Sequence, residues 1–215
     1  MANIEFETEK EYKTFLQNQH LTYLNEGGEA KCYLSNVDDL VYKNLLDATW
    51  TSSLYSPDEV VTKEQIKLPS FEFPIDLFTH QDLVWGYTSK YIPKDYFSET
   101  SVISETMFLK INFKRLRKAI EIFRRDVEIL SKENILIDDL PFNLLFTGSR
   151  LVAIDTLSYL RIRTNTLEAN LKSMNYALQN VFELYLQNLN LDIIEESDLD
   201  RYLSEVEVLQ KQLKK

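Results

Sequence analysis

The chain contains little cysteine and little histidine. Cys32 is the only cysteine, and His20 and His80 are the only histidines among 215 residues. A single thiol cannot form an intrachain disulfide, and thiolates cannot build a zinc site here. The two histidines are far apart in sequence, so a Ser-His-Asp mechanism or a histidine-held metal centre has little material.

Glycine, proline and long apolar runs are also limited. Four glycines and five prolines argue against a long flexible linker. No window approaches 18 uninterrupted apolar residues, so we expect no membrane-spanning segment. Residues 1–20 carry acidic and polar side chains, unlike a signal peptide. We therefore expect a soluble protein in a reducing, cytoplasmic setting, with no membrane partner.

The composition indicates a packed core and an acidic surface. Hydrophobic residues make up 44% of the chain and aromatic residues 12%, which favours a globular fold over disorder. The formal charge is −10, so the chain as a whole repels a phosphate backbone and we expect no nucleic-acid partner. A basic stretch at 110–125 is interpreted as the solvated face of a helix.

The part of the chain before Pro93 has mostly the pattern of strands. Period-two alternation and turn-forming residues predict two hairpins preceded by a further strand. The predicted strands are 20–24, 31–34, 39–43, 73–78 and 83–92. Helices are predicted at 9–19 and at 57–67, the latter with Ser56 as a cap and Pro57 at its first position.

The pattern becomes mainly helical after Pro93. Apolar residues at helical spacing predict a helix through 116–130, and the helices 165–190 and 197–215 follow. Short strands are predicted at 144–146 and 151–154. The stripe on the first of these helices consists of Leu116, Ile120, Phe123, Val127 and Leu130, and that on the last of Leu199, Leu203, Val206 and Leu213.

Five short segments of the chain contain glycine, lysine, acidic or amide residues. They are Gly27-Gly28-Glu29-Ala30-Lys31, Val41-Tyr42-Lys43, the segment 86–92, the segment 138–143 and Ile154-Asp155-Thr156. Their order and approximate spacing resemble those of the protein-kinase-like superfamily, in particular its small, divergent bacterial members. The resemblance covers roughly residues 21–160.

This resemblance implies an α+β fold with two lobes. The N-lobe, residues 1–92, would hold a small antiparallel sheet, and the C-lobe, residues 93–215, would be a reduced helical lobe. Gly27 and Gly28 would approach the ATP phosphates through main-chain N–H groups. The main chain near Tyr91 and Ile92 would bind adenine.

The same resemblance assigns roles to charged residues. Lys43 would bind the α- and β-phosphates and pair with a glutamate from the helix at 57–67. Glu64 is preferred for that pairing, with Glu59 as the alternative. Asp138 would be the catalytic base, although Asp139 copies the family's Asp-Leu pair.

Two oxygen-bearing side chains complete the implied site. Asp138 and Asn143 are five positions apart, as in the family's catalytic loop. Asn143 and Asp155 would hold Mg²⁺, a hard cation that prefers oxygen ligands. The implied cofactors are therefore ATP and Mg²⁺.

The chain also departs from the family's pattern. Leu136 and Ile137 occupy the positions of the family's His-Arg pair, and Asp155-Thr156-Leu157 lacks the usual glycine. No Ala-Pro-Glu motif follows, and the segment after Asp155 is too short for a long activation loop.

Four interpretations of function remain open. The leading one is a kinase-like phosphotransferase acting on a Ser or Thr hydroxyl of an unknown protein substrate. The alternative is a weak or inactive pseudokinase that serves as a protein-interaction module. A small-molecule phosphotransferase and an acidic interaction protein without nucleotide binding are the other two.

Overall fold

The computed structural model describes residues 3–47, 56–93, 105–138, 140, 143–186 and 196–215. The chain divides into two compact units. Each unit also contains one short segment from the part of the sequence that mainly forms the other unit. The first unit comprises Met1–Lys67, Glu72–Ile92 and Thr156–Leu160, and the second comprises Leu68–Phe71, Pro93–Asp155 and Arg161–Lys215.

The first unit is built on a six-stranded sheet. Its order is β1-β5-β6-β4-β3-β2, and neighbouring strands are antiparallel except for β1 and β5, which are parallel. The sheet is therefore mixed, which corrects the prediction of an antiparallel sheet. The strands are β1 (Asn3–Glu5), β2 (Leu21–Glu26), β3 (Ala30–Ser35), β4 (Leu40–Leu45), β5 (Leu77–His80) and β6 (Leu83–Lys90).

Turn residues join these strands as their chemistry predicts. Gln81 and Asp82 both have positive φ, at 48° and 65°, which is the backbone of a tight hairpin turn between β5 and β6. Between β3 and β4 the Asp38 carboxylate accepts from the Leu40 N–H at 3.3 Å, and Asp39 has a φ of 55°. Both predicted hairpins are confirmed, although β5 begins later than expected.

The helix α1 (Glu9–Asn18) covers one face of this sheet. Thr8 caps it by accepting a hydrogen bond from the Glu11 N–H. Its buried Tyr12 packs among rings at centroid distances of 5.3 to 5.9 Å and donates to the Trp85 carbonyl oxygen. Burial, with a smaller contribution from Tyr33, raises the pKa of the Tyr12 hydroxyl well above its ordinary value.

The segment 57–67 is not a helix, contrary to the prediction. It forms two separate turns, one closed by the Glu59 N–H donating to Ser56 and one closed by Gln65 and Ile66 donating to Thr62. Between the turns lie three consecutive β-branched residues at 60–62, all buried. Such residues lose side-chain freedom in a helix, so the tertiary burial of this run outweighs the helix-start signal at Ser56-Pro57.

The second unit is mainly helical. The predicted apolar stripe on its central helix is confirmed, since all five residues of the stripe, the first being Leu116 and the last Leu130, are buried. The stripe on the last helix is correct for Leu199, Leu203 and Val206 but wrong for Leu213, which is 46% exposed. Among the described residues the helices are α2 (Glu105–Lys110), α3 (Phe113–Lys132), α4 (Leu167–Leu186) and α5 (Glu196–Leu213).

Polar contacts tie α5 to its neighbours. The Gln210 side chain is buried and donates from Nε2 to the carbonyl oxygens of Phe108 and Ile111, at 2.6 and 3.0 Å. The Phe108 carbonyl also accepts from the Ile111 N–H at 3.2 Å, so Gln210 adds a second donor at the C-terminal end of α2. Arg117 on α3 donates to Glu207 at 2.7 Å.

Short strands complete the second unit. They are β7 (Ile135–Leu136), β8 (Leu144–Phe146), β9 (Leu151–Ala153) and β10 (Leu160–Arg161), of which β10 begins with the last residue of the first unit. The antiparallel pair β8 and β9 confirms the predicted hairpin, and Phe71 makes a parallel bridge to Ala153 at its edge. Within the described part of the chain, no helix has the length and apolar character needed to cross a membrane.

Candidate functional site

Lys43 lies on the sheet face opposite α1. The neighbouring Tyr42 packs into the aromatic cluster beneath α1, and successive residues of a strand point to opposite faces. The Lys43 side chain is buried, at 7% exposure, and its Nζ atom lies 5.4 Å from the centroid of the Tyr87 ring. An ammonium over an aromatic face is stabilised by the ring's negative face. Lys43 therefore lies on a buried face of the sheet.

An apolar cluster lies on the same side of the sheet as Lys43. Tyr87 belongs to it, and a β-bulge at Trp85 turns Val84 and Tyr87 to this side while Trp85 joins the cluster beneath α1. Leu45, two positions after Lys43, packs against this apolar cluster. The cluster consists of Val60, Leu77, Val84, Tyr87 and Leu157, with Leu45 and Leu160 at its margin.

Gly27 and Gly28 form the exposed turn between β2 and β3. The Gly27 N–H donates to the Ala30 carbonyl oxygen at 2.9 Å, which closes the turn. A Cβ atom at either position would meet nothing within 4 Å, and neither glycine has a positive φ. Packing within the described residues therefore does not require glycine at these two positions.

The segment predicted to bind adenine leaves the end of β6. Ile92 is buried, and the Tyr91 N–H donates to the Asp39 carbonyl oxygen at 3.0 Å. The Tyr91 N–H thus already donates a hydrogen bond within the first unit. Side chains gave no signal of this, because the bond is made entirely by main-chain atoms.

The glutamates proposed to pair with Lys43 are not presented by a helix. Glu64 is exposed and lies in the second turn of 57–67, while the Glu59 carboxylate accepts from the Ser56 N–H at 3.0 Å. Glu72 is instead the buried glutamate of the described residues, and it accepts from Lys63 Nζ at 2.6 Å. The helical context assumed for the pairing is therefore wrong.

Asn143 and Asp155 lie close together in the second unit. The Ile154 N–H donates to the Asn143 carbonyl oxygen at 2.8 Å, one step beyond the β8–β9 pair Leu144 and Ala153. Asp155 follows directly, with a φ of 59°. A positive φ is uncommon outside glycine, and strained backbone of this kind concentrates at functional sites.

Asp138, the predicted base, is exposed and follows a firmly held strand segment. The preceding residue, Ile137, donates its N–H to Oδ1 of the buried Asn170 at 2.8 Å. The Asn170 amide nitrogen in turn donates to Ser131 and to the Ile135 carbonyl oxygen. Asp139, Pro141 and Phe142 lie outside the described residues, so the choice between Asp138 and Asp139 stays a prediction.

Asn170 was missed by sequence reasoning. Its side chain bonds to Thr166, four positions earlier, and to three groups more than 30 positions earlier, at Ser131, Ile135 and Ile137. A polar residue inside the apolar pattern of a helix was the available signal, because such a residue must be satisfied when it is buried. Its contacts fix the main chain immediately before Asp138.

The donor atoms near Asp155 suit a hard cation. Asn143 and Asp155 offer amide and carboxylate oxygens, and Mg²⁺ is commonly held by one or two such groups together with phosphates and waters. In the described ranges no group of three or more His, Cys, Asp or Glu side chains could hold a metal by itself. The oxygens of Asn143 and Asp155 therefore fit a hard cation whose other ligands come from outside the protein.

The predicted site residues divide between the two units. The first contains Lys43, Glu64 and the glycine turn together with Tyr91 and Ile92, and the second contains Asp138, Asn143 and Asp155. Within the second unit, Asn143 and the residue before Asp155 are joined by a main-chain hydrogen bond. Within the first unit, the glycine turn leads into β3, and Lys43 lies on the neighbouring strand β4.

Comparison of the sequence with models of protein families and with curated proteins gives no match.

Proposed function

We propose that the protein binds ATP with Mg²⁺ and transfers the terminal phosphoryl group to a Ser or Thr hydroxyl of a protein substrate. By resemblance to protein kinases, we assign Lys43 and the glycine turn to binding of the phosphates. Asp138, Asn143 and Asp155 are assigned to the acceptor and the cation. The acceptor hydroxyl oxygen forms the new bond to phosphorus, the bond to the leaving oxygen breaks, and ADP departs.

The observation that carries the proposal is the bond between Ile154 and Asn143. This bond, at 2.8 Å, holds the two oxygen-bearing residues of the second unit side by side, and the next residue has strained backbone. An arrangement of Asn and Asp oxygens without thiolates or imidazoles suits a metal that arrives with phosphates. The burial of Lys43 on the interior face of β4 agrees with the role that the resemblance gives this residue.

Each side chain has a separate role in this proposal. Asn143 and Asp155 bind the cation, which when bound neutralises charge on the phosphates. Lys43 binds phosphate oxygens from the interior face of β4. Asp138 orients the acceptor hydroxyl and takes its proton as the new bond forms.

A pseudokinase is the second candidate, and one observation favours it. The positions of the family's His-Arg pair hold Leu136 and Ile137, and Ile137 is buried with its N–H bonded to Asn170. Ile137 therefore packs in the interior and has no polar side chain to offer to a substrate. A pseudokinase would keep nucleotide binding and lack phosphoryl transfer.

The experiment that tests the proposal measures binding and transfer separately. Asp155→Asn should weaken binding of ATP with Mg²⁺, because a metal ligand stabilises bound phosphates before and during reaction. Asp138→Asn should lower the transfer rate by about 100-fold or more with little change in affinity, because a general base acts as the transition state forms.

The outcomes separate the two candidates. Transfer that depends on Asp138 supports the phosphotransferase. Nucleotide binding without transfer to the protein itself, to generic protein acceptors or to water, and without any effect of Asp138→Asn, supports the pseudokinase. Full nucleotide affinity in Lys43→Met would remove Lys43 from the site.

A further inference from the structure

The chain on both sides of Asp155 is held by one short segment, Ser70–Glu72. Before Asp155, the Ala153 N–H donates to the Ser70 carbonyl oxygen at 2.8 Å. After Asp155, the Thr156 hydroxyl donates to the Glu72 carbonyl oxygen at 3.0 Å. The residue two positions before Asp155 and the residue directly after it are therefore both bonded to the same three-residue segment.

The segment itself is fixed at each end by a buried carboxylate. The Asp126 side chain on α3 is buried and accepts from the Ser70 N–H at 3.1 Å. The Glu72 side chain is buried and accepts from Lys63 Nζ at 2.6 Å. Charge-assisted hydrogen bonds are shorter and stronger than neutral ones, so neither end of the segment moves easily.

Thr156 is unusual in this arrangement. It is fully buried, and its hydroxyl is the side-chain group that joins the residue after Asp155 to Ser70–Glu72. Asp155 itself has a φ of 59°, a conformation that persists only when the surroundings fix it. A buried donor placed directly after a strained residue is a means of fixing it.

We propose that Thr156 is a positioning residue for the cation site, acting through its hydrogen bond to Glu72 to hold the Asp155 carboxylate beside Asn143. This inference rests on the proposed function, because it assigns the cation to Asn143 and Asp155. Partners that orient a metal ligand commonly change metal affinity by 10- to 100-fold when they are removed. Thr156 therefore sets the affinity for the cation without touching it.

The test uses three variants of the full chain and two readouts. Thr156→Val removes the hydroxyl at nearly constant shape, and Thr156→Ser restores it. Thr79→Val is the matched control, since Thr79 is a buried threonine on β5 whose hydroxyl donates to Asn3 at 2.8 Å. The affinity for Mn²⁺ with ATP is measured from the enhancement of water-proton relaxation that the protein adds to Mn²⁺–ATP alone, and stability is measured by denaturant unfolding without ligand.

The expected result is a split between the two threonines. Thr156→Val should weaken Mn²⁺ binding about tenfold, Thr156→Ser should recover it to within about threefold, and Thr79→Val should leave it unchanged. If Thr156→Val and Thr79→Val change Mn²⁺ affinity equally, Thr156 is only a stabilising residue and the inference is overturned. If the wild type binds no Mn²⁺ with ATP, the proposed function is overturned together with the inference.

Discussion

Cys32 on β3 and Lys43 on β4 lie directly opposite each other in an antiparallel pair. Residues in such a pair share a face of the sheet, with their Cβ atoms about 4.5–5.5 Å apart. Cys32 is partly exposed, and Lys43 is buried over Tyr87. The chain's only cysteine is therefore a reporter beside the lysine proposed to bind phosphate.

Nucleotide should protect Cys32 from alkylation. A phosphate group bound at Lys43 would cover the neighbouring thiol, so ATP with Mg²⁺ should slow labelling by iodoacetamide at least about fivefold. Mass spectrometry follows the reaction without ambiguity, because one cysteine is present. In Lys43→Met the protection should disappear, and equal labelling rates with and without nucleotide in the wild type would contradict the proposal.

The glycine turn should matter for binding rather than for folding. Because a Cβ at Gly27 or Gly28 meets nothing within 4 Å, alanine there should change the free energy of unfolding by less than about 0.5 kcal/mol. Nucleotide affinity should fall about tenfold, or about 1.4 kcal/mol, since the added methyl groups would obstruct close approach of phosphates.

Gly86 provides the contrast for this experiment. A Cβ there would collide with the Tyr12 hydroxyl and with the Lys43 carbonyl oxygen. Gly86→Ala should therefore destabilise the fold by about 2 kcal/mol or more, through displacement of α1 or β4. Unchanged nucleotide affinity in both Gly27→Ala and Gly28→Ala would identify the turn as an ordinary hairpin connection.

Two buried asparagines on α4 should respond in opposite ways. Asn170→Leu removes the partners of Ile137, Ile135 and Ser131, so it should destabilise by about 3 kcal/mol. Asn175 is also buried, but its Oδ1 atom has no hydrogen-bond partner in the described structure. Asn175→Leu should therefore be neutral or stabilising. Chemical denaturation of both variants measures this, and similar losses would mean that volume rather than hydrogen bonding governs the helix.

The fold was predictable where one face of an element is buried and its period is regular. The stripe on α3 and both hairpins of the sheet are of this kind. The helix prediction for 57–67 was wrong because Val60, Val61 and Thr62 are buried together, and the sequence alone does not show that burial. The three-residue strand β1 is too short to carry a period, so its parallel pairing with β5 gave no signal.

The candidate site was predictable only in its outline. The resemblance to the kinase family assigned Asn143 and Asp155 to the site, and a main-chain bond joins Asn143 to the residue before Asp155. Asn170 and Thr156, which hold the surrounding chain, make hydrogen bonds to partners 33 to 84 positions away. Tertiary contacts of that range leave no local pattern in the sequence.

The Glu207 carboxylate should make stability depend on pH. Its hydrogen bond from Arg117, together with that from Lys211, holds the pKa of Glu207 below its ordinary value of 4.5. A lowered folded-state pKa means that the contribution is complete above the unfolded value and is lost as the pH falls through the folded value. Glu207→Gln should therefore cost about 0.5–1 kcal/mol at pH 7 and progressively less below about pH 4.5.

Urea denaturation at pH 7 and at pH 3 measures this difference. Glu205→Gln is the control, because it removes a charge from the same helix. A loss of stability in Glu207→Gln that stays constant from pH 7 to pH 3 would show that packing, not the charge, is responsible.

The central claim is that ATP and Mg²⁺ bind this chain through Lys43 and Asp155. The most direct measurement is the free energy of unfolding as ATP is titrated with Mg²⁺ present, for the wild type, Lys43→Met and Asp155→Asn. The account predicts stabilisation of the wild type by about 2.7 kcal/mol at a nucleotide concentration 100 times the dissociation constant, with much smaller shifts in both variants. No stabilisation of the wild type at millimolar ATP, or equal stabilisation of all three proteins, would contradict it.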